Sequence, residues 1–247
     1  MDTALLVEQF SVWRGRSEIV RSIDLTIPGG SLVALVGSNG AGKTTFIEGV
    51  LGILPTRATR FELFGEDVRG RKPWDLVNSG LVVVPQERRL FPAMTVAENL
   101  DIVQTKTTRS DGVTYTRDEL YDLFPRLRER ATNFAGTLSG GERSMLAMAR
   151  GLALRPRLLI LDEPSLGLAP VVIDSIMATI REVSQTGLSI LLVEQNVHQA
   201  LSMSSWAHVL DAGAVVASES SDDLRGSQLL ESGYLGVVPA GEEKGIG

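Results

Sequence analysis

The sequence predicts an α/β fold with a mostly parallel central sheet, on three observations. Short apolar runs bounded by turn residues recur at Leu32 to Val36, Leu81 to Val84, Leu158 to Leu161 and Ser189 to Val193, with segments of helical spacing between them. Such runs lack polar alternation, so both faces of each strand must be covered, as in a parallel sheet flanked by helices. The first run leads through a glycine-rich turn into the helix-like Phe46-Ile-Glu-Gly-Val-Leu51. The third ends in two adjacent acids, Asp162 and Glu163, followed by Pro164. Ligands of open α/β sheets bind beyond the carboxyl ends of the strands, where both features fall.

Taken in order, the first 30 residues differ from the rest. Leu5-Leu-Val, Phe10-Ser-Val-Trp13 and Ile23-Asp-Leu-Thr-Ile27 alternate with period two and stop at Pro28-Gly29-Gly30, which predicts an antiparallel β subdomain beside the parallel core. From about Thr95 to Leu154 the periodicity is helical, so an α-helical subdomain is expected to be inserted at about 87–155. Its polar middle, Thr105 to Thr116, reads as a mobile loop, and 237–247 as a disordered tail. No internal repeat is evident. With 247 residues, 43% hydrophobic and 22% charged, the chain suits one globular domain with room for an insertion. A net charge of -6 without a basic arm or stripe argues against a general nucleic-acid binder. The absence of cysteine excludes disulfides and thiolate metal sites and fits a reducing compartment. Two histidines, His198 and His208, make a poor metal cluster. No apolar run approaches the roughly 18 residues of a membrane span, and Met-Asp-Thr-Ala lacks the basic flank of a signal peptide. The expectation is a chain kept in the cytoplasm.

Three stretches carry chemistry. Gly37-Ser38-Asn39-Gly40-Ala41-Gly42-Lys43-Thr44-Thr45 has the spacing of a phosphate-binding loop, the mark of a P-loop NTPase. Its backbone N–H groups face phosphates, Lys43 reaches the terminal ones, and the Thr44 hydroxyl suits Mg2+. Glycines let the backbone come close, and the positive end of the next helix adds to the field. At the second stretch, neighbouring strand residues point to opposite sides. That assigns Asp162 to hydrated magnesium and Glu163 to the attacking water. The third is Leu138-Ser139-Gly140-Gly141-Glu142. Ser139 and Glu142 have capping-box spacing, so an ordinary helix start is one reading. Two glycines in that turn cost about 1 kcal/mol each relative to alanine, which points instead to close approach by another group.

These motifs in this order, with Gln86 after the strand Leu81 to Val84, resemble the ATP-binding subunit of an ATP-binding-cassette (ABC) transporter from Leu5 to about Gly236. The sequence Leu-Ser-Gly-Gly-Glu is specific to those ATPases. The resemblance implies a cassette domain over 1–236, with ATP and Mg2+ as cofactors. It also implies a head-to-tail dimer in which Ser139, Gly140 and Gly141 of one subunit meet the γ-phosphate held by Lys43 of the other. Trp13 lies where the family stacks an aromatic on adenine. Gln86 resembles the glutamine that reaches magnesium and the attacking water and senses the membrane partner. Ser165-Leu-Gly-Leu168 resembles the loop that crosses the dimer interface. Gln195 stands where transport ATPases usually carry a histidine on the γ-phosphate; it can hydrogen-bond but not carry charge, so hydrolysis is expected to be slower or to lean harder on Glu163. His198, three residues further on, reads as a surface histidine.

Finer motifs narrow the resemblance. Ser165-Leu-Gly-Leu-Ala-Pro170, Leu191-Leu-Val-Glu-Gln-Asn196, Val84-Pro-Gln-Glu-Arg-Arg-Leu-Phe-Pro92, Met94-Thr-Val-Ala-Glu-Asn-Leu100 and Tyr234-Leu-Gly236 are similar to an ATPase subunit of branched-chain amino-acid importers. Importers of urea and short amides share much of this pattern, and Gln86 keeps them open. Arg143-Ser144 departs from the usual pair of glutamines after the signature. The resemblance implies a second ABC ATPase subunit (homo- or heterodimer), two integral membrane permease subunits and an extracytoplasmic solute-binding protein as partners. It places the chain peripherally on the cytoplasmic face of the cell membrane. A soluble cassette ATPase acting on a macromolecular assembly is the other class, against which a single compact cassette argues.

Overall fold

In a computed structural model, residues 3–104 and 112–227 are described. Strands β1 (Thr3–Arg14) and β2 (Ser17–Pro28) pair antiparallel. Two of the expected N-terminal runs join in the single strand β1 because Gln9, at φ +49°, bulges out of it. The inward-facing positions change there from Leu5 and Val7 to Phe10 and Val12, the phase shift that one extra residue imposes. Strand β3 (Leu32–Val36) is buried throughout and leads through the glycine loop into helix α1 (Lys43–Val50). Short strands β4 (Thr56–Arg57), β5 (Arg60–Leu63) and β6 (Glu66–Asp67) complete the antiparallel sheet, in the order β2-β1-β5-β6 with β4 beside β1. Phe10 stands edge-on to Phe46 of α1 and to Phe61 of β5, at 5.8 and 5.3 Å between ring centres. The antiparallel sheet is thereby packed onto the helix that carries Lys43.

Helix α2 (Pro73–Asn78) precedes strand β7 (Leu81–Val84). Beyond Thr95 come α3 (Val96–Gln104), α4 (Arg117–Leu123), α5 (Pro125–Glu129) and α6 (Gly140–Ala153), with no strand among the described residues beyond one bridging pair, Thr95 with Phe134. Buried Val96, Leu100, Leu120, Leu127, Leu146 and Leu152 form their common core. Asn99 is fully buried, and its side chain bonds to both backbone groups of Phe91 and to the carbonyls of Met94 and Thr95. It fixes the turn that follows β7. The chain then runs through β8 (Leu158–Asp162), α7 (Pro170–Ser184), β9 (Ser189–Glu194), α8 (Val197–Met203), β10 (Trp206–Asp211), β11 (Ala214–Ser220) and α9 (Ser221–Arg225).

The second sheet has the order β11-β10-β3-β9-β8-β7 and is parallel apart from β11. All four apolar runs are strands of it. Of the polar stretch expected to be a loop, residues 105–111 lie outside the described part, and Thr116 caps α4 by a capping box with Glu119. The expected tail and Tyr234-Leu-Gly236 also lie outside the described residues.

Candidate functional site

The loop between β3 and α1 is held open by backbone requirements. A Cβ on Gly37 would lie 2.3 Å from the carbonyl oxygen of Leu210, so β10 can cross there only above a glycine. Gly42 sits at φ +112°, and Gly40 at φ +83° faces open space within 4 Å. Lys43, 5% exposed, donates to the carbonyls of Gly37 at 2.8 Å and Ser38 at 3.0 Å, and its ammonium lies 3.1 Å from Oε1 of Glu163. Thr45 is buried, whereas Thr44 is exposed. A cleft of 270 Å3 is lined by Asn39, Gly40, Gly42, Lys43, Thr44 and Thr45, and by Gln86, Glu163, Leu166 and Ile19 from elsewhere. Residues distant in sequence thus converge with the loop.

Asp162 is the last residue of β8 and 4% exposed, with Oδ1 buried and lacking a hydrogen-bond partner. Burial, reinforced by the neighbouring charge of Glu163, pushes its carboxyl up to about 6 from 3.8. Glu163 leaves the strand at φ +47°, a conformation uncommon for a residue with a side chain, while its N–H still bonds to the Val193 carbonyl at 2.9 Å. The two acids do diverge. Glu163 lines the cleft of Lys43, and Asp162 lines a neighbouring groove with Thr44, so Thr44 belongs to both cavities. Strand alternation accounts for Asp162 only; the left-handed turn at Glu163 sets the rest. A buried, unpartnered carboxylate oxygen in the groove that Thr44 also lines is a hard-oxygen donor that suits Mg2+.

One residue with no assigned role ties this region together. Glu194, 2% exposed at the end of β9, accepts from the backbone N–H of Ser165 through Oε1 and from that of Gln195 through Oε2, both at 3.2 Å. Burial pushes its carboxyl up despite these bonds. The loop after Glu163 and the position of Gln195 therefore share one buried anchor. A glutamate closing an otherwise apolar strand was the available signal. Gln195 itself is exposed and does not line the cleft.

Ser139 caps α6: its hydroxyl accepts from the Glu142 N–H at 3.2 Å, and Glu142 accepts from the Ser139 N–H at 2.8 Å. The two glycines of this turn differ. A Cβ on Gly141 would lie 2.6 Å from Cγ1 of Val172, so packing against α7 explains it. On Gly140 a Cβ would meet nothing nearer than Leu168 at 3.7 Å and Arg88 at 3.9 Å, so packing does not explain that one. None of Ser139, Gly140 and Gly141 lines the cleft of Lys43. Trp13 does not line it either; its indole is half-buried near the end of β1, and Ile19 of β2 faces the cleft instead.

The profile of the ABC transporter family matches residues 20–166, spanning the loop, the capped glycine turn and both carboxylates. This chain belongs to the ABC transporter family. As an ABC ATPase it is an ATP-hydrolysing enzyme. It is 36% identical to the high-affinity branched-chain amino acid transport ATP-binding protein BraG of Pseudomonas aeruginosa, over 94% of this chain and 99% of that protein. To the lipopolysaccharide export system ATP-binding protein LptB of Haemophilus influenzae it is 31% identical, over 89% of this chain and 91% of the other. Among solved structures, an ATP-binding subunit of an ABC transporter superposes with a TM-score of 0.79 at 25% identity, covering 95% of this chain and 99% of that one. Among the described residues no helix is long and apolar enough to cross a membrane.

Proposed function

We propose that this ABC ATPase powers an importer of branched-chain amino acids by working as one half of a head-to-tail pair of cassettes. One observation carries the reading: Lys43, Thr44, Gln86 and Glu163 converge on a single cleft, whereas the capped turn at Ser139 to Gly141 lies outside it with Gly140 bare. A second cassette, of the same or a related chain, supplies that turn to complete each site. The identity to BraG and the Val193-Glu-Gln-Asn196 sequence support the amino-acid reading.

In this reading the cassette spans 1–236, with its helical subdomain at about 87–155. Lys43 and the loop amides hold the terminal phosphates, and Trp13 stacks on the adenine. Glu163 orients the attacking water, and Gln195 donates a hydrogen bond to the γ-phosphate. Thr44, Asp162 and Gln86 hold Mg2+, which supplies charge neutralisation of the transferred phosphoryl group. Separation of the cassettes after cleavage is relayed through Gln86 to two permease subunits in the membrane. A 280 Å3 groove beside Gln86 offers them Ile47, Leu51 and Ile53 flanked by Glu87, Arg88 and Arg150. The chain thus sits peripherally on the cytoplasmic face, with an extracytoplasmic solute-binding protein delivering substrate. Gln86, where some branched-chain subunits carry glutamate, favours a urea or short-amide importer as the second reading.

Replacement Glu163→Gln tests the core of this. Turnover should fall by about 10^3-fold while an ATP-bound dimer accumulates on gel filtration, since loss of a general base typically costs 10²–10⁴-fold. Unchanged phosphate release by that variant would remove Glu163 from the mechanism. Recovery of the chain from cells without any membrane fraction would favour a soluble cassette machine instead.

A further inference from the structure

Two arginines that share a cavity next to the cleft of Lys43 have no carboxylate partner among the described residues. Arg88 and Arg143 line one cavity of 330 Å3, together with Gln86, Leu90 and Gly136. Neither guanidinium has an ion pair or side-chain hydrogen bond among the described residues. Glu87 also lines the cavity, but its carboxylate is 3.8 Å from Arg89. Arg88 is partly buried, and both that burial and the like charge of Arg143 disfavour its charged form. Two unpaired cations facing one cavity in a chain of net charge -6 are a local excess that an anion relieves.

Placement gives the anion its chemistry. Arg88 Nη1 lies 3.9 Å from where a Cβ would stand on Gly140, the glycine that packing leaves unexplained. Arg143 is one turn along the helix that Ser139 caps. Arg88 and Arg89 both occupy the left-handed region, at φ +63° and +38°, so the backbone is held in an unfavourable form that carries Arg88 to this place. Planar guanidinium groups pair with phosphoryl oxygens through two parallel N–H donors. Gln86 lines both this cavity and the cleft of Lys43, so the two sites adjoin.

We propose that Arg88 and Arg143 form a second phosphoryl-anion site, which takes the terminal phosphate of the ATP held by the facing cassette. This rests on the head-to-tail pairing described above. The added charge compensates for uncharged Gln195, the position at which the resemblance leads one to expect histidine.

The test separates the site from the pairing. Inorganic phosphate is titrated into the full chain carrying Lys43→Ala, with arginine side-chain N–H signals followed by NMR. Saturable shifts of two arginine signals are expected, with affinity about 10-fold weaker in Arg88→Gln or Arg143→Gln, the size of one charge-assisted hydrogen bond. No saturable shift, or shifts surviving both substitutions, would overturn the site. In a second arm, the ATP concentration for half-maximal association of the Glu163→Gln chain is measured by light scattering, alone and with a co-purified partner cassette. It should rise about 10-fold when Arg143→Gln is added. An unchanged midpoint with intact phosphate binding would overturn the nucleotide as source and leave free phosphate, or a carboxylate of a membrane subunit. Failure of the Glu163→Gln parent to associate at all would overturn the head-to-tail reading, while the titration still decides whether the arginines bind phosphate.

Discussion

Replacing Asp162 by asparagine should stabilise the protein in the absence of nucleotide, although it removes the carboxylate proposed above to hold Mg2+. The carboxyl is 4% exposed, its Oδ1 has no partner, and its pKa is pushed up to about 6 from 3.8. A rise of about 2 units corresponds to about 3 kcal/mol held against the folded state once the group ionises. The folded pKa is above the unfolded one, so the folded protein binds more protons between pH 3.8 and 6. Stability therefore falls as pH rises through that window and is flat above it. Asparagine lacks the charge. The variant should match the parent near pH 4 and exceed it by up to about 3 kcal/mol at pH 7.5, about 6–12 °C in Tm for a chain this size. Thermal unfolding of both proteins across that pH range, without nucleotide or divalent cation, measures it. The order should reverse when Mg2+ and ATP are added, because only the parent gains from the cation. An asparagine variant no more stable at pH 7.5, or a difference independent of pH, would refute the argument that Asp162 is a buried charge awaiting a cation.

Three further outcomes follow from particular contacts. Gly141→Ala forces a Cβ to 2.6 Å from Val172 and should cost about 1–3 kcal/mol in urea unfolding, whereas Gly140→Ala, with neighbours no closer than 3.7 Å, should unfold like the parent yet lose ATPase activity. Equal stability losses at the two would mean that both glycines serve packing. Glu194→Gln keeps one carbonyl acceptor where two carboxylate oxygens served Ser165 and Gln195, so kcat should drop by about 10-fold with KM for ATP little changed; a change confined to KM would place its effect on nucleotide binding. Gln195→Ala should lower turnover while nucleotide binding is kept, and wild-type hydrolysis would show that this position no longer acts.

What the sequence revealed and what it hid follow one physical division. Strands buried on both faces announce themselves as apolar runs, so β3, β7, β8 and β9 were legible in order. Strand β10, Trp206-Ala-His-Val-Leu-Asp, escaped because it mixes polar and apolar residues, although it pairs with β3 and its Leu210 carbonyl covers Gly37. Strands β4 to β6, two to four residues each, are too short to show any period. Loop, acids and capped turn were legible because their chemistry needs fixed residue types at fixed spacing. The link from Glu194 to Ser165 spans 29 residues and rests on backbone donors, which no side-chain pattern encodes. The two glycines of the signature look alike in sequence, and only Val172, on another helix, tells them apart.

On the proposed reading, the pairing of Lys43 with Glu163 would give the nucleotide a second effect besides its own retention. An ammonium has three donors, and here two serve Gly37 and Ser38 while Glu163 lies 3.1 Å away. Both side chains are nearly inaccessible, at 5% and 9% exposure, so neither can lose its partner without a substitute. Phosphate oxygens that draw Lys43 away leave Glu163 as an uncompensated carboxylate at the rim of the same cleft. A water molecule able to donate to it then becomes favourable there, which is the arrangement a general base requires. With Glu163 as the general base proposed above, catalytic competence would be conditional on those phosphates, because one lysine cannot satisfy both anions at once.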